Sequence, residues 1–256
     1  MPLRPALRAV LAATTLALCS GTAAWAASVA YDPGAGTLPS AQGWAALGAP
    51  ASFESLAGGV YTLDTTGSND IVGAYGRIDP SGLDTEAGFR LDFNLRVVAE
   101  SHARPERAGF SVILTGADPR HALELGFWDD RVFAYTSSFG HGAEALYATG
   151  VATDYTLLVA NHQFTLKGNG STLLSGSLVD YTAFGLPYTV PNAVFFGDDT
   201  RSAQSHVELR GLALAPMPEP ASSLLLAAGL AVLVTARRRP QPFGISRGWP
   251  SRSIAT

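Results

Sequence analysis

The carboxylates, histidines and aromatic side chains are the groups whose spacing tests this chain for chemistry. The densest acidic group is Glu124, Asp129 and Asp130 in "ELGFWDD". Two carboxylates about 5 Å apart can cleave a glycosidic bond, one as nucleophile and one as acid. Glu124 and Asp130 share strand parity, but on an extended strand their spacing holds them ~20 Å apart. The local reading is therefore an outward glutamate followed by a turn at Asp129-Asp130. In "GDDT", residues 197–200, Asp198 and Asp199 follow an apolar run, where paired carboxylates can offer hard oxygen ligands to calcium. Only two of the ~6–8 ligands of a calcium shell are visible there, and an Asx-type turn is the competing reading. No cofactor is expected; calcium at Asp198 and Asp199 is the one metal these residues offer as an alternative to the turn. His102, His121, His141, His162 and His206 are spread along the chain without a metal-binding pair. Neither a Gly-x-Ser-x-Gly elbow nor a phosphate loop occurs. Trp128, Phe133, Tyr135, Phe139 and Tyr147 cluster in the central region, and such rings can stack on the apolar faces of sugars. Parity sets Phe133 and Tyr135 on one face, more often a core face, which leaves Trp128 as the candidate sugar platform.

These residues sit in a chain patterned for strands. In "GFRLDFNLRVV", Phe89, Leu91, Phe93, Leu95 and Val97 alternate with Arg90, Asp92, Asn94 and Arg96. Shorter runs follow: "GFSVILT", "ALELGFW", "RVFAYT", "YTLLVA", "QFTLKG", "STLLSGS", "NAVFFG" and "HVELRGLAL". Gly, Asp, Asn and Pro clusters separate them. No helix of ten or more residues and no repeat interrupts the series. The expected fold class is all-β, an antiparallel β-sandwich or jelly roll. Two hairpins can be placed, through Asp129-Asp130 and through Gly168-Asn169-Gly170, where glycine and asparagine accept positive φ. The turn accounts for Asn169-Gly170-Ser171 more simply than a glycosylation sequon does.

The ends differ from this body. Arg4 and Arg8, the apolar "AVLAATTLALC", and Ala24 and Ala26 in "AAWA" have the anatomy of a secretory signal peptide cut after Ala26. The single cysteine, Cys19, lies within it, so the mature chain carries no thiol. From Ala221 to Ala236 no charge occurs; as a helix this stretch spans ~24 Å against ~30 Å of hydrocarbon. Arg237, Arg238 and Arg239 follow as a cytoplasmic stop, their long side chains able to snorkel. Between Ser28 and Met217 there are 13 Asp and 7 Glu against 9 Arg and 1 Lys, a net charge of −10. So acidic a body argues against nucleic acid or anionic lipid as partner.

The order Pro218-Glu219-Pro220, short hydrophobic helix and arginine cluster resembles the PEP-CTERM sorting signal of Gram-negative bacteria that make exopolysaccharide. The resemblance covers residues ~217–239 and implies processing by an exosortase-type membrane enzyme, with transient anchoring in the inner membrane. Family members usually stop soon after the arginines, whereas this chain continues with "PQPFGISRGWPSRSIAT", a polar tail that reads as disordered. The stretches "GTLPSAQGW", "RAGFSVILTGADPRHALELGFWDDRVFA" and "PNAVFFGDDTRSAQSHVELRGLAL" are similar to the concanavalin A-like lectin/glucanase sandwich, over most of residues 31–214. Glucanases of that type carry Glu-x-Asp-x-(x)-Glu on one strand, and this chain lacks it. Such a fold hosts lectins, glucanases and inert adhesive modules alike, so it does not settle function.

The sequence thus predicts a signal peptide (1–26), an exported sandwich (27–216), a sorting signal with a membrane helix at 221–236 (217–239) and a tail (240–256). The expected role is non-enzymatic, structural or adhesive, at the cell surface or outside the cell. A carbohydrate-binding module for exopolysaccharide is the alternative, ahead of a polysaccharide-degrading hydrolase.

Overall fold

Alternation in "GFRLDFNLRVV" produces one of the two fourteen-residue strands among the described residues. The computed structural model describes residues 28–79 and 83–217. The signal peptide with Ala24 and Ala26, the motif Pro218-Glu219-Pro220, the 221–236 helix, Arg237–Arg239 and the tail lie outside the described residues. Among the described residues no helix is long and apolar enough to cross a membrane.

Fifteen strands are described: β1 (Ser28–Tyr31), β2 (Ala45–Gly48), β3 (Glu54–Ala57), β4 (Val60–Asp64), β5 (Gly73–Ile78), β6 (Phe89–His102), β7 (Ser111–Thr115), β8 (Ala122–Phe127), β9 (Arg131–Tyr135), β10 (His141–Leu146), β11 (Thr153–Ala160), β12 (Gln163–Gly168), β13 (Ser171–Ser177), β14 (Ala193–Asp198) and β15 (Ala203–Pro216). They form two antiparallel sheets. One runs β13-β12-β11-β6-β15-β4-β3, with β1 added along β15; the other runs β10-β9-β8-β7-β14-β5-β2. The only described helices are 3-10 turns of three or four residues.

The sheets face each other across a single apolar layer. Leu91, Phe93 and Leu95 of β6, Tyr155 and Leu157 of β11, and Val207 and Leu209 of β15 contribute one side. Val112 and Leu114 of β7, Leu125 and Phe127 of β8, and Phe196 of β14 contribute the other. Edge-to-face aromatic pairs tie the layers, Phe93 with Phe127 at 6.0 Å and Tyr61 with Phe196 at 6.0 Å, an arrangement that ring quadrupoles favour. The architecture is an antiparallel β-sandwich.

Both expected hairpins occur. Phe127 pairs with Val132, leaving Asp129 and Asp130 exposed in the turn. Gly168 pairs with Ser171 around Asn169 (φ 48°) and Gly170 (φ 82°), the two positive-φ positions of a type I′ turn. Strands β1–β5 and β10 were not marked by the sequence pattern. "AALG", "ESLA" and "HGAEAL" are short and rich in Gly, Ala and Glu, residues with weak strand preference. Their pairing partners hold them extended.

Candidate functional site

Four strands of the seven-stranded sheet, β7, β8, β9 and β14, are buried on both faces rather than one. Their outward residues are Ser111, Ile113 and Thr115; Ala122, Glu124 and Gly126; Phe133 and Tyr135; and Phe195. A second apolar layer covers them, built from Ala108, Trp128, Phe139, Tyr181 and Tyr188. Gly126 makes room within it: a Cβ there would stand 2.6 Å from the Phe133 ring. The segment between β13 and β14 is pinned across this face. Val179 bridges to Ala122, the Tyr181 hydroxyl donates to the Tyr135 carbonyl at 2.7 Å, and the Thr115 hydroxyl donates to the Val190 carbonyl at 2.5 Å.

Beneath that cover lies Glu124, only 1 % exposed. The Ser111 hydroxyl donates to its Oε1 at 3.0 Å and the Tyr188 hydroxyl to its Oε2 at 2.5 Å. Burial, then the charge of Asp199, pushes its carboxyl up to about 8, against the opposing pull of those two hydrogen bonds and of Arg107. Asp199 is also raised by burial, while Arg107 holds it down. Tyr188 keeps its phenolic proton firmly, through burial and then the neighbouring Glu124 and Asp199.

In front of this buried group a pocket of about 370 Å³ opens, lined by Arg107, Asp199, Tyr188, Phe139, Phe184 and Leu186 among others. The Arg107 guanidinium lies 4.9 Å over the Phe139 ring, a cation–π contact. Phe184 meets Phe139 edge-on at 4.4 Å and stays 52 % exposed. Two larger hollows have less to work with. One, about 720 Å³ beside β2, is lined almost wholly by apolar and backbone groups. The other, about 700 Å³ on the outer face of the eight-stranded sheet, is lined among others by Arg90, Asp92 and Arg210, already ion-paired, and by Asp32, Asn94 and Asp154, already hydrogen-bonded.

The residues singled out from sequence fall differently than expected. Trp128 is no open platform: it is 8 % exposed, with His102 stacked on it at 3.9 Å and the Arg131 guanidinium 5.0 Å from its centroid. Its indole N–H donates to the Arg107 carbonyl at 2.7 Å, so it anchors the backbone of a pocket residue instead. Glu124 has the outward parity expected, but the cover segment buries it, and the reading of a solvent-facing glutamate fails. Asp130 pairs with Arg131 at 2.8 Å in the exposed turn and has no part in the site.

Asp198 and Asp199 have separate surroundings. Asp198 is fully buried and accepts from the Thr65 hydroxyl at 2.6 Å and the Thr200 N–H at 3.0 Å, whereas Asp199 faces Tyr188 and Arg107. Burial pushes the Asp198 carboxyl up to about 8, against those two hydrogen bonds. Among the described residues no group of three or more His, Cys, Asp or Glu is placed to hold a metal ion. The two neighbouring carboxylates thus share none of the partners just named. Four of the five histidines meet ring partners in space despite their spacing. His121 and His162 stack at 3.8 Å, and His102 and His141 flank Trp128, each of the last three within reach of a glutamate.

Sequence reasoning passed over Arg107 and Tyr188 altogether. The available signal was Glu124 itself, one acid inside the unbroken apolar run "ALELGF", which marks a strand buried on both faces. A carboxylate in such a run must find buried partners.

No protein-family model matches the chain, and no curated protein matches it. Among solved structures, a carbohydrate esterase of the Shiga toxin-encoding bacteriophage phi24B aligns with TM-score 0.48 and 14% identity, over 75% of this chain and 100% of that one. A sialidase aligns with TM-score 0.49 and 13% identity over 75% of this chain but 18% of its own. The Emp46p carbohydrate recognition domain in metal-free form aligns with TM-score 0.40 and 13% identity, over 68% and 88%. Likenesses at this level do not bear on what this chain does.

Proposed function

We propose that this protein is an exported β-sandwich of the concanavalin A-like type, sorted to the cell surface by its Pro-Glu-Pro signal, where it binds extracellular polysaccharide without cleaving it. The role is structural or adhesive. The observation that carries the binding half is the pocket at Arg107, Asp199 and Tyr188. It combines aromatic walls with a few convergent polar groups, the usual make-up of a small-molecule site.

The same geometry supports a non-enzymatic role. The common paired-carboxylate route to glycoside hydrolysis needs both groups at the scissile bond. Here Asp199 lines the pocket, whereas Glu124 is sealed behind Tyr188 and Ser111. Glycan-array binding by protein recovered from the cell surface or medium, with no release of reducing sugar, is the expected result. Reducing-sugar release that vanishes in Glu124→Gln would overturn the non-enzymatic reading.

Sorting has its own test. Intact-mass measurement of the extracellular form should place its ends near Ala27 and near Met217–Pro220. Extracellular masses that retain Arg237–Arg239 would refute processing at the Pro-Glu-Pro motif. Glu219→Ala should leave export intact and hold the protein at the membrane.

A further inference from the structure

We propose that β2 is a self-association edge, where the seven-stranded sheets of two copies of this chain join antiparallel about a two-fold axis at Ala46. The association does not depend on what the pocket at Arg107 binds.

Three observations carry it. First, the edge is open. β2 ends its sheet and pairs with β5 on one side only, from Ala45 opposite Gly76 to Gly48 opposite Gly73. The same register continues to Ala49, whose N–H donates to the Val72 carbonyl at 2.9 Å. Hydrogen bonding alternates along an antiparallel strand, so Ala45, Leu47 and Ala49 turn their backbone groups toward β5 and Ala46 turns its own away. Among the described residues no turn, loop or side chain bonds the Ala46 N–H or C=O, and Ala45, Ala46 and Gly48 are exposed. Such a bare edge is a template for another strand.

Second, this edge lacks the charges that guard others. β3 carries Glu54 and β10 carries His141 and Glu144, whereas β2 reads Ala-Ala-Leu-Gly. Beside it lies the apolar hollow of about 720 Å³, lined by Leu47, Pro187 and Val190, with Ile78 and Leu186 on its rim 60% and 74% exposed. Exposed apolar surface next to an unpaired strand marks a protein contact.

Third, charge and symmetry select a second copy. No charged residue occurs from Pro33 to Phe53, and no carboxylate lines the hollow. Two bodies of net charge −10 repel each other, but along this stretch they bring no like charges together. A basic partner would find no anion here to pair with. An antiparallel strand is its own complement: a two-fold axis at Ala46 lets Ala46 of each copy exchange N–H and C=O bonds and sets Trp44 opposite Gly48 of the second copy. The strand is short, so the interface is of the small, reversible class.

The test is analytical ultracentrifugation of the secreted protein over a micromolar concentration series, joined to cross-linking. The expected result is a monomer–dimer equilibrium that moves toward dimer as concentration rises. Ala46→Pro removes an N–H that the fold does not use, and Leu186→Glu puts like charges on the two adjoining rims. Each should raise the dimer Kd about tenfold or more while leaving the melting temperature of dilute protein within a few degrees. The only cysteine, Cys19, lies in the segment expected to be removed on export, so Ala46→Cys supplies a lone thiol. Hydrogen-bonded antiparallel partners stand ~5.5 Å apart at Cα, within the span of a disulfide. Ala46→Cys should therefore cross-link under mild oxidation, and Ser175→Cys, exposed on the end strand β13, should not. If Ala46→Pro fails to fold, Leu186→Glu and Ala46→Cys decide. A monomer at every concentration, or a dimer that survives Leu186→Glu and gives no Ala46→Cys cross-link, overturns self-association at β2. Either result leaves polysaccharide binding standing, since a glycan array reads that on the monomer.

Discussion

The outer face of the eight-stranded sheet and the outer face of the seven-stranded sheet began from the same strand geometry and ended in opposite environments. Along β6 the outward side chains are Arg90, Asp92, Asn94 and Arg96, partly or fully exposed and joined by surface pairs such as Arg90–Asp92 at 2.7 Å. Along β7, β8, β9 and β14 the outward side chains are small, aromatic or hydroxyl-bearing, and the chain returns over them. The difference shows what a second apolar layer makes possible. Ion pairs on the first face sit in water and contribute little. On the second face a carboxyl is desolvated, its proton is retained, and a neighbouring cation and acid are held at the rim of a pocket.

If the outer layer of the seven-stranded sheet is a true second core, its aromatics should matter as much as those between the sheets. Phe133, in the outer layer, and Phe127, in the inner one, are both fully buried. Replacement of either by Ala should cost ~3–5 kcal/mol in urea unfolding. A cost below ~1 kcal/mol for Phe133→Ala alone would mean that the cover is a loose flap.

A smaller effect is expected from the carboxyl beneath the cover. Glu124→Ala strands the Ser111 and Tyr188 hydroxyls and should destabilise by ~1–3 kcal/mol. The pH dependence has a definite sign. The folded protein keeps the Glu124 proton up to about pH 8, whereas the unfolded chain releases it near 4.5, the ordinary value for a glutamate. The folded state therefore binds more protons between those limits, and stability falls as pH rises through that window, then levels above it. Asp198, also raised to about 8 by burial, adds a slope of the same sign. Melting temperatures from pH 5 to 9 should fall less steeply in Glu124→Gln than in the parent, and less still when Asp198→Asn is added. An unchanged slope in Glu124→Gln would show that Glu124 is already ionised in the folded state.

The smallest effect belongs to the other outer face. Arg90→Ala breaks a pair whose side chains are 52% and 31% exposed and should change stability by no more than ~0.5 kcal/mol. A larger loss would show that the eight-stranded sheet also depends on its outer surface.

Much of the framework was legible residue by residue. The alternation of Phe89 through Val97 marked β6, the double Asp marked one hairpin, and Asn169-Gly170 marked another. What escaped was the first third of the described chain, where strands such as "AALG" owe their extension to neighbours rather than to their own residues. The candidate site escaped for a related reason. Trp128 invited attention as an aromatic beside two acids, yet Arg131 from the same turn lies over its ring and His102, which stacks on it, reaches it only through the folded sheet.

The sequence by itself determined that the body is built of antiparallel strands, that it is acidic and free of thiols, and that both ends resemble export and sorting signals. Those properties are local: they depend on a period of two, on composition, or on a short linear motif. Only the tertiary structure decided which acids are buried and what surrounds them. Tyr188 lies 64 positions from the Glu124 it bonds, and Asp199 reaches Arg107 and Tyr188 only because β14 runs beside β7. No spacing rule encodes that meeting, because burial, and with it the protonation and accessibility of a carboxyl, depends on what the rest of the chain lays over it.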